Sequence, residues 1–292
     1  MTTRRTFLIG TVISLGARGS SRAAFAQSPL DMKEKIASIE GNVKGRLGVA
    51  VLDTGSDRRF GYRGDERFPM CSTFKLMAAA AILKRVEQGR ETLDRRVRFS
   101  KSDLVTYSPA TSKHIESGMT VAELCEAAIT LSDNTAGNLM LGMIGGPSGV
   151  TAFARGLGDP ITRLDRTETA LNEATPGDPR DTTAPAAMAE NLRKLMFRGA
   201  LEKASSEQLR AWLLANKTGD TRLRARLPAS WRVGDKTGSG ERGSTNDVGI
   251  LWRPDATPII VAVYLTQTAA SADERNDAVA AVGEAVAAAF KS

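Results

Sequence analysis

The sequence predicts an α/β (α+β) protein in which an antiparallel sheet, formed from both chain ends and flanked by helices, carries an inserted all-helical lobe. Three observations lead there. Strand-like apolar runs occur within residues 46–63 and return only after Pro228. Between them, from Ser72 to about Ala215, apolar positions recur at helical spacing and are broken by Gly, Pro and Asp loops. The chain closes on an Ala-rich helical stretch, Asp273 to Phe290. A cleft between the two lobes is the natural ligand site.

The elements follow in order. Met1–Ala26 reads as a twin-arginine-type export signal: Arg4-Arg5 precedes the apolar run Phe7–Ala17, and Ala24-Phe25-Ala26 offers a small-x-small cleavage site. That run is too short for the roughly 20 residues of a membrane span, so a periplasmic bacterial protein without a membrane anchor after signal removal is expected. Pro29–Ile39 has helical spacing, Arg46–Asp53 reads as a strand, and Arg58–Arg63 as its hairpin partner. These residues give an α/β lobe over 28–66 and 217–292, with a helical lobe over 67–216. Capping boxes are expected at Thr120-Val121-Ala122-Glu123 and at Ser205-Ser206-Glu207-Gln208, the latter before a helix from Leu209. Pro147 suits a first helical turn. Strands are expected at Trp231–Asp235, Asp247–Trp252 and Pro258–Gln267.

Composition removes whole classes of chemistry. With 292 residues, 41% hydrophobic and 25% charged, the chain has an ordinary globular make-up. Four of its seven net positive charges are Arg4, Arg5, Arg18 and Arg22, leaving +3 once the signal is gone. The remaining bases and acids interleave, which argues against nucleic-acid binding. One histidine and two cysteines leave too few ligands for a Cys/His zinc site, so neither metal nor cofactor is expected. A Ser-His-Asp triad would have to use His114, which is expected at the surface or a helix end. Hydrolytic chemistry would therefore rest on Ser, Lys, Asp or Glu.

Such residues cluster in three places. In Ser72-Thr73-Phe74-Lys75 a helix would place the hydroxyl and the ammonium on one face, and the apolar run Leu76–Leu83 that follows would bury Lys75 and disfavour its charge. Ser132-Asp133-Asn134 is a polar triplet between apolar helices, equally suited to capping. Lys236-Thr237-Gly238 lies on a strand, whereas its second copy, Lys217-Thr218-Gly219, falls at a helix end. Gly238–Gly243 also fits G-x-G-x-x-G, but a strand rather than a helix follows, which excludes a dinucleotide site.

In this order and spacing the three motifs resemble those of class A serine β-lactamases, across residues 28 to 292. The resemblance extends to Arg166-Thr167-Glu168-Thr169-Ala170-Leu171-Asn172, similar to that family's omega loop, with Asp181 placed to pair with Arg166, and to Asn216–Arg222, which looks like a structural family segment. It implies the β-lactamase/transpeptidase-like fold and hydrolysis of penicillins and cephalosporins through an acyl-enzyme. Ser72 would be the nucleophile, and Lys75 or Glu168 (through a water) its base. Ser132 would relay the proton to the leaving nitrogen, and Glu168 with Asn172 would activate the hydrolytic water. The Ser72 and Ser239 N–H groups would form the oxyanion hole. Lys236, Thr237 and Ser239 would bind the substrate carboxylate, Asn134 its side-chain amide, and Tyr107 would form the cleft wall. A penicillin-binding DD-peptidase shares the three motifs but generally lacks the Glu168/Asn172 pair.

Two departures stand out. Many relatives carry an arginine where this chain has Thr245, and the candidates to replace it are Arg222 and Arg275. The positions that pair with Cys71 and Cys125 in relatives are here Gly240 and Ala79, which implies two free thiols and lends little support to carbapenem hydrolysis. A monomer is expected, acting on small-molecule β-lactam antibiotics.

Overall fold

The structure, a computed structural model, describes residues 29–290. The export signal read at 1–26 lies outside them. In chain order the first segment contains α1 (Pro29–Val43), β1 (Arg46–Asp53), β2 (Arg59–Tyr62) and β3 (Phe68–Pro69). The middle contains α2 (Phe74–Glu87), β4 (Arg96–Val97), β5 (Met119–Thr120), α3 (Val121–Thr130), α4 (Asn134–Met143), α5 (Pro147–Gly156), β6 (Thr182–Thr183), α6 (Pro185–Phe197) and α7 (Lys203–Leu214). The last segment contains β7 (Arg232–Ser239), β8 (Thr245–Trp252), β9 (Ile259–Thr266) and α8 (Ala272–Ala289).

Five strands form one antiparallel sheet in the order β2-β1-β9-β8-β7, so N-terminal and C-terminal strands meet at the β1–β9 pair, Val49 opposite Val263. The expected sheet from both chain ends is therefore present. Central strand β9 is apolar along almost its whole length because both of its faces are covered. Its alternate residues sort by face. Val261, Val263 and Leu265, with Leu47, Val49 and Val51 of β1, pack against Met32 and Ile36 of α1 and Val279, Val282 and Val286 of α8. Ile260, Ala262 and Tyr264, with Ala50 and Leu52, join the core of the helical lobe. Helix α2 runs through that lobe with Phe74 to Leu83 all buried, as a helix apolar on every side must be.

Local signals explain most boundaries. The Thr120 box forms in full: Glu123 N donates to Thr120 Oγ1 at 3.1 Å and Thr120 N to Glu123 Oε2 at 2.6 Å. Pro147 occupies the first turn of α5. The Ser205 box does not form. Helix α7 begins at Lys203, because Glu202 N is held by Glu87 Oε1 of α2 at 2.6 Å, and Ser205 is buried inside it. A tertiary hydrogen bond overrides the local signal there. A further box, Ser271 with Glu274, starts α8. Strand β7 runs past Asp235 to Ser239, which carries Lys236-Thr237-Gly238 into the ladder with β8.

Cys71 and Cys125 are both free and buried, and burial pushes the Cys71 thiol up to about 12. Thiolate chemistry should therefore be silent in the native protein. A disulfide-exchange reagent is expected to label neither cysteine under native conditions and both after denaturation. Gly48 makes the tightest strand contact: a Cβ there would lie 2.4 Å from the buried Phe68 ring and 2.9 Å from Pro185. Gly48→Ala should lose about 1–3 kcal/mol, read as a lower thermal midpoint, by roughly 2–4 °C per kcal/mol.

Candidate active site

Ser72 stands at the mouth of α2, in a single 3₁₀ turn, Cys71–Thr73, that leads into the helix. Thr73 Oγ1 bonds Met70 O at 2.8 Å, and Asn246 Nδ2 of β8 bonds Met70 O at 3.1 Å, so the turn is fixed from both sides. Cys71, Ser132 and Tyr107 all have positive φ (45°, 59° and 66°). Left-handed backbone at non-glycine residues costs on the order of 1–3 kcal/mol each and gathers where function requires it.

One turn on from Ser72, in the first turn of α2, Lys75 is fully buried. Its Nζ reaches Ser72 Oγ at 2.9 Å, Ser132 O at 2.9 Å, Asn134 Oδ1 at 2.7 Å and Glu168 Oε1 at 2.9 Å. Burial holds the Lys75 amine below the usual lysine range, while the Glu168 carboxylate acts in the opposite direction. The chain leaves room for this side chain at Gly137, where a Cβ would come within 2.7 Å of Lys75 Cε.

Glu168 arrives on the loop between α5 and β6. Its Oε1 accepts from Ser72 Oγ at 3.0 Å, and its Oε2 accepts from Asn172 Nδ2 at 2.5 Å. The same Oε1 thus meets the serine hydroxyl and the Lys75 amine at once. The expected clasp is present: Arg166 Nε bonds Asp181 Oδ2 at 2.6 Å, and Asp181 Oδ1 accepts from the backbone N–H of Asp165 and Arg166. Asn138, which the sequence reading missed, holds the backbone of Glu168 at both ends, accepting from its N–H at 2.8 Å and donating to its C=O at 2.9 Å. Its signal was available: it lies four residues after Asn134, on the same face of α4.

Opposite Ser72, Lys236 of β7 is buried and donates to Ser132 Oγ at 3.0 Å. Burial, then the charges of Lys75 and Arg222, hold its amine well below the usual lysine range. The capping reading of Ser132-Asp133-Asn134 is met at its middle residue. Asp133 caps α4 through Ala136 N and binds the N–H groups of Ala110 and Thr111, while Asn134 donates to Thr106 O at 2.8 Å. That pins the loop on which Tyr107 stands 58% exposed at the cleft wall.

These elements enclose a cleft of about 390 Å³, floored by Ser72 and walled by Tyr107, Asn172, Thr237 and Ser239. Thr218 also lines it, its Oγ1 2.5 Å from Thr237 Oγ1, so the second Lys-Thr-Gly copy has a place in the site that its helix-end reading did not include. Of the two candidate arginines, Arg222 lines the cleft, with Nη2 2.6 Å from Ser239 Oγ and Nη1 2.9 Å from Gly238 O. Arg275 does not; it is held by Thr245 Oγ1 at 3.0 Å and Ala270 O. His114 is exposed at the end of a 3₁₀ turn. A larger groove of about 550 Å³ lies between α1 and α8, lined by Lys35, Ser38, Arg226 and Glu284 among others, with Arg226 and Glu284 paired with each other. Among the described residues no group of three or more His, Cys, Asp or Glu is placed to hold a metal. The cleft thus joins a serine hydroxyl to a buried amine and a carboxylate, which suits nucleophilic attack on a carbonyl.

Known proteins place this arrangement in a family. The pattern of the "Beta-lactamase enzyme family" matches residues 31–290. The chain is 52% identical to Beta-lactamase OXY-1 of Klebsiella oxytoca over 87% of its own length and 88% of that protein. It is 50% identical to Beta-lactamase CTX-M-8 of Citrobacter amalonaticus, over 88% of each chain. Among solved structures, an ancestral (GNCA) beta-lactamase class A superposes with a TM-score of 0.88 at 62% identity, covering 89% of this chain and all of the other. The putative class A beta-lactamase PenP from Rhodopseudomonas palustris gives 0.88 at 60% identity with the same coverage. On fold, site and relatives together, the chain belongs to the beta-lactamase enzyme family, among its class A members.

Proposed function

We propose that the chain hydrolyses the lactam amide of penicillins and cephalosporins through an acyl-enzyme on Ser72, and so confers resistance to them. The observation that carries the reading is the single Glu168 carboxylate in hydrogen-bond reach of both Ser72 Oγ and Lys75 Nζ. The Ser72 proton passes to the Lys75–Glu168 pair, both members of which touch its hydroxyl, while the oxygen attacks the lactam carbonyl. The N–H groups of Ser72 and Ser239 stabilise the oxyanion. Ser132, bonded to Lys236, relays the Ser72 proton from the pair to the lactam nitrogen as the C–N bond breaks, which leaves Ser132 a hydroxyl and Glu168 a free carboxylate. Glu168 then takes a proton from water, which attacks the ester and restores Ser72. Asn172 Oδ1, buried and unpaired among the described residues, is the acceptor free to orient that water.

Lys236, Thr237, Ser239 and Arg222 receive the substrate carboxylate, Asn134 its side-chain amide, and Tyr107 covers the open side. Arg222 takes the role of the missing arginine rather than Arg275, because it alone of the two lines the cleft. We further propose that the protein acts in the periplasm as a monomer after twin-arginine export and removal of residues 1–26, binding no nucleic acid. Among the described residues no helix is long and apolar enough to cross a membrane.

Removing the deacylating carboxylate should separate the two half-reactions. In Glu168→Ala, kcat on a chromogenic cephalosporin is expected to fall about 10²–10⁴-fold, with mass spectrometry finding the antibiotic attached at Ser72; unchanged steady turnover would refute the role. The pH profile tests Lys236. Its lowered pKa means that the cation is lost as pH rises, before the ordinary lysine range is reached, so kcat/KM for an anionic substrate should drop on the alkaline side. Lys236→Arg, which stays charged, should move that drop to higher pH.

A further inference from the structure

Beneath the strand that carries Lys236 lie two carboxyl groups that the chemistry above does not use. Asp235 and Asp247 are both wholly buried. On the β7–β8 ladder Asp235 stands opposite Gly249 and Thr237 opposite Asp247, so the two aspartates are diagonal neighbours on one face of the sheet. Glycines give them room: a Cβ on Gly249 would lie 3.0 Å from Asp235 Cβ, and one on Gly219 would lie 2.0 Å from Asp235 Oδ2. Gly219 closes the second Lys-Thr-Gly copy, whose glycine is thus required by the carboxyl beneath it.

The hydrogen bonds of the pair are incomplete in a particular way. Asp235 Oδ1 accepts from Asn216 Nδ2 at 2.8 Å and pairs with Arg224. Asp247 Oδ2 accepts from Leu223 N at 3.2 Å. The other two oxygens, Asp235 Oδ2 and Asp247 Oδ1, are buried without a hydrogen-bond partner among the described residues. Two unpaired acceptors cannot satisfy one another, and two adjacent buried carboxylates repel. One proton removes both faults, because a carboxylic acid donates one O–H.

We propose that Asp247 is protonated at neutral pH and donates its carboxyl O–H to Asp235, so that the pair carries one negative charge under the substrate-binding strand. That charge is neutralised by Arg224. The Arg222 guanidinium, held by Gly238 O, Asn246 O and Ser239 Oγ, then has no carboxylate partner of its own and keeps its charge for the cleft. An ionised Asp247 would cancel it from below. Asp247 thus acts as a positioning residue, through Arg222.

The electrostatic surroundings agree. Burial, and after it the Asp235 charge, pushes the Asp247 carboxyl well above the usual carboxylate range, against the pull of Arg222, Arg224 and the Leu223 N–H. Lys236 of β7 and Tyr264 of β9, each one residue out of register with Asp247, lie on the opposite face of the sheet and feel its charge only through space. On α8, Arg275, whose charge opposes that of Arg222, is tied to Thr245 and Ala270. The sign follows. A native pKa above the unfolded one gives stability that is complete below the unfolded carboxylate range and is lost as pH rises through the native value.

Infrared spectroscopy of the intact protein tests this. At neutral pH the wild type should show the C=O stretch of one neutral carboxyl that Asp247→Asn abolishes. In Asp235→Asn, with the neighbouring charge gone, that band should disappear at lower pH than in the wild type. Denaturant unfolding should show the wild type losing stability relative to Asp247→Asn as pH is raised from neutral. A wild-type spectrum without a neutral carboxyl band overturns the proposal, and that measurement needs no variant. So does a band that survives Asp247→Asn, or one whose titration Asp235→Asn leaves unmoved. An Asp247→Asn protein unable to fold also counts against it, since an amide reproduces the shape and donor of a neutral carboxyl.

Discussion

A charged amine buried in an apolar helix is the constraint around which the molecule is arranged. Lys75 sits in the run Phe74–Leu83, wholly out of solvent. An ammonium there is several kcal/mol too costly unless it is paired and fully hydrogen-bonded. The partners that meet the requirement come from three separate places in the chain: Ser72 from the turn before α2, Ser132 O and Asn134 Oδ1 from the α3–α4 junction, Glu168 from the α5–β6 loop. Taking away one member of such a pair typically costs about 3–5 kcal/mol because the other charge is left stranded. The chain therefore cannot satisfy Lys75 without also assembling the cleft, and fold stability and site geometry become the same demand.

The route by which Glu168 reaches that amine shows how the demand spreads. Its loop has almost no regular structure, yet Asn138 grips both peptide groups of Glu168, and Asp181 gathers Arg166 and two backbone N–H groups at the loop's base. The carboxylate is thus positioned by hydrogen bonds rather than by packing. Small losses in this network act on the orientation of Glu168 before they act on the core.

Periodicity made the scaffold legible. The apolar run within 46–53 is β1 and the apolar stretch before Gln267 is β9, both covered on two faces, because burial writes itself directly into residue type. Thr120 and Pro147 mark their helices because each cap depends on only a few neighbouring residues. Ser205 misleads because the start of α7 is set by Glu87, 115 residues away from the backbone N–H it holds. In the site, Ser72, Lys75, Ser132, Glu168 and Lys236 were readable as motifs, each a short pattern of reactive side chains. Thr218 was not, and the spacing from Asn134 marks only the face of α4 on which Asn138 lies, since the partners of both are set by what lies across space. The choice between Arg222 and Arg275 was open for the same reason: both precede or begin an element at comparable distances along the chain, and only the fold places one beside Ser239.

The sheet joins the two ends of the polypeptide, with Thr54 bonded to Pro258 across 204 residues. During synthesis the serine-bearing helix emerges long before β7 and β9 exist. A nascent chain halted before β9 has the Ser72 hydroxyl but no central strand on which to seat β1 or β8, and so no fixed wall facing it. Closing so long a loop is an intrinsically slow step. Competence is therefore acquired all at once and late, when the final quarter of the chain docks, and no N-terminal fragment can carry the activity ahead of it.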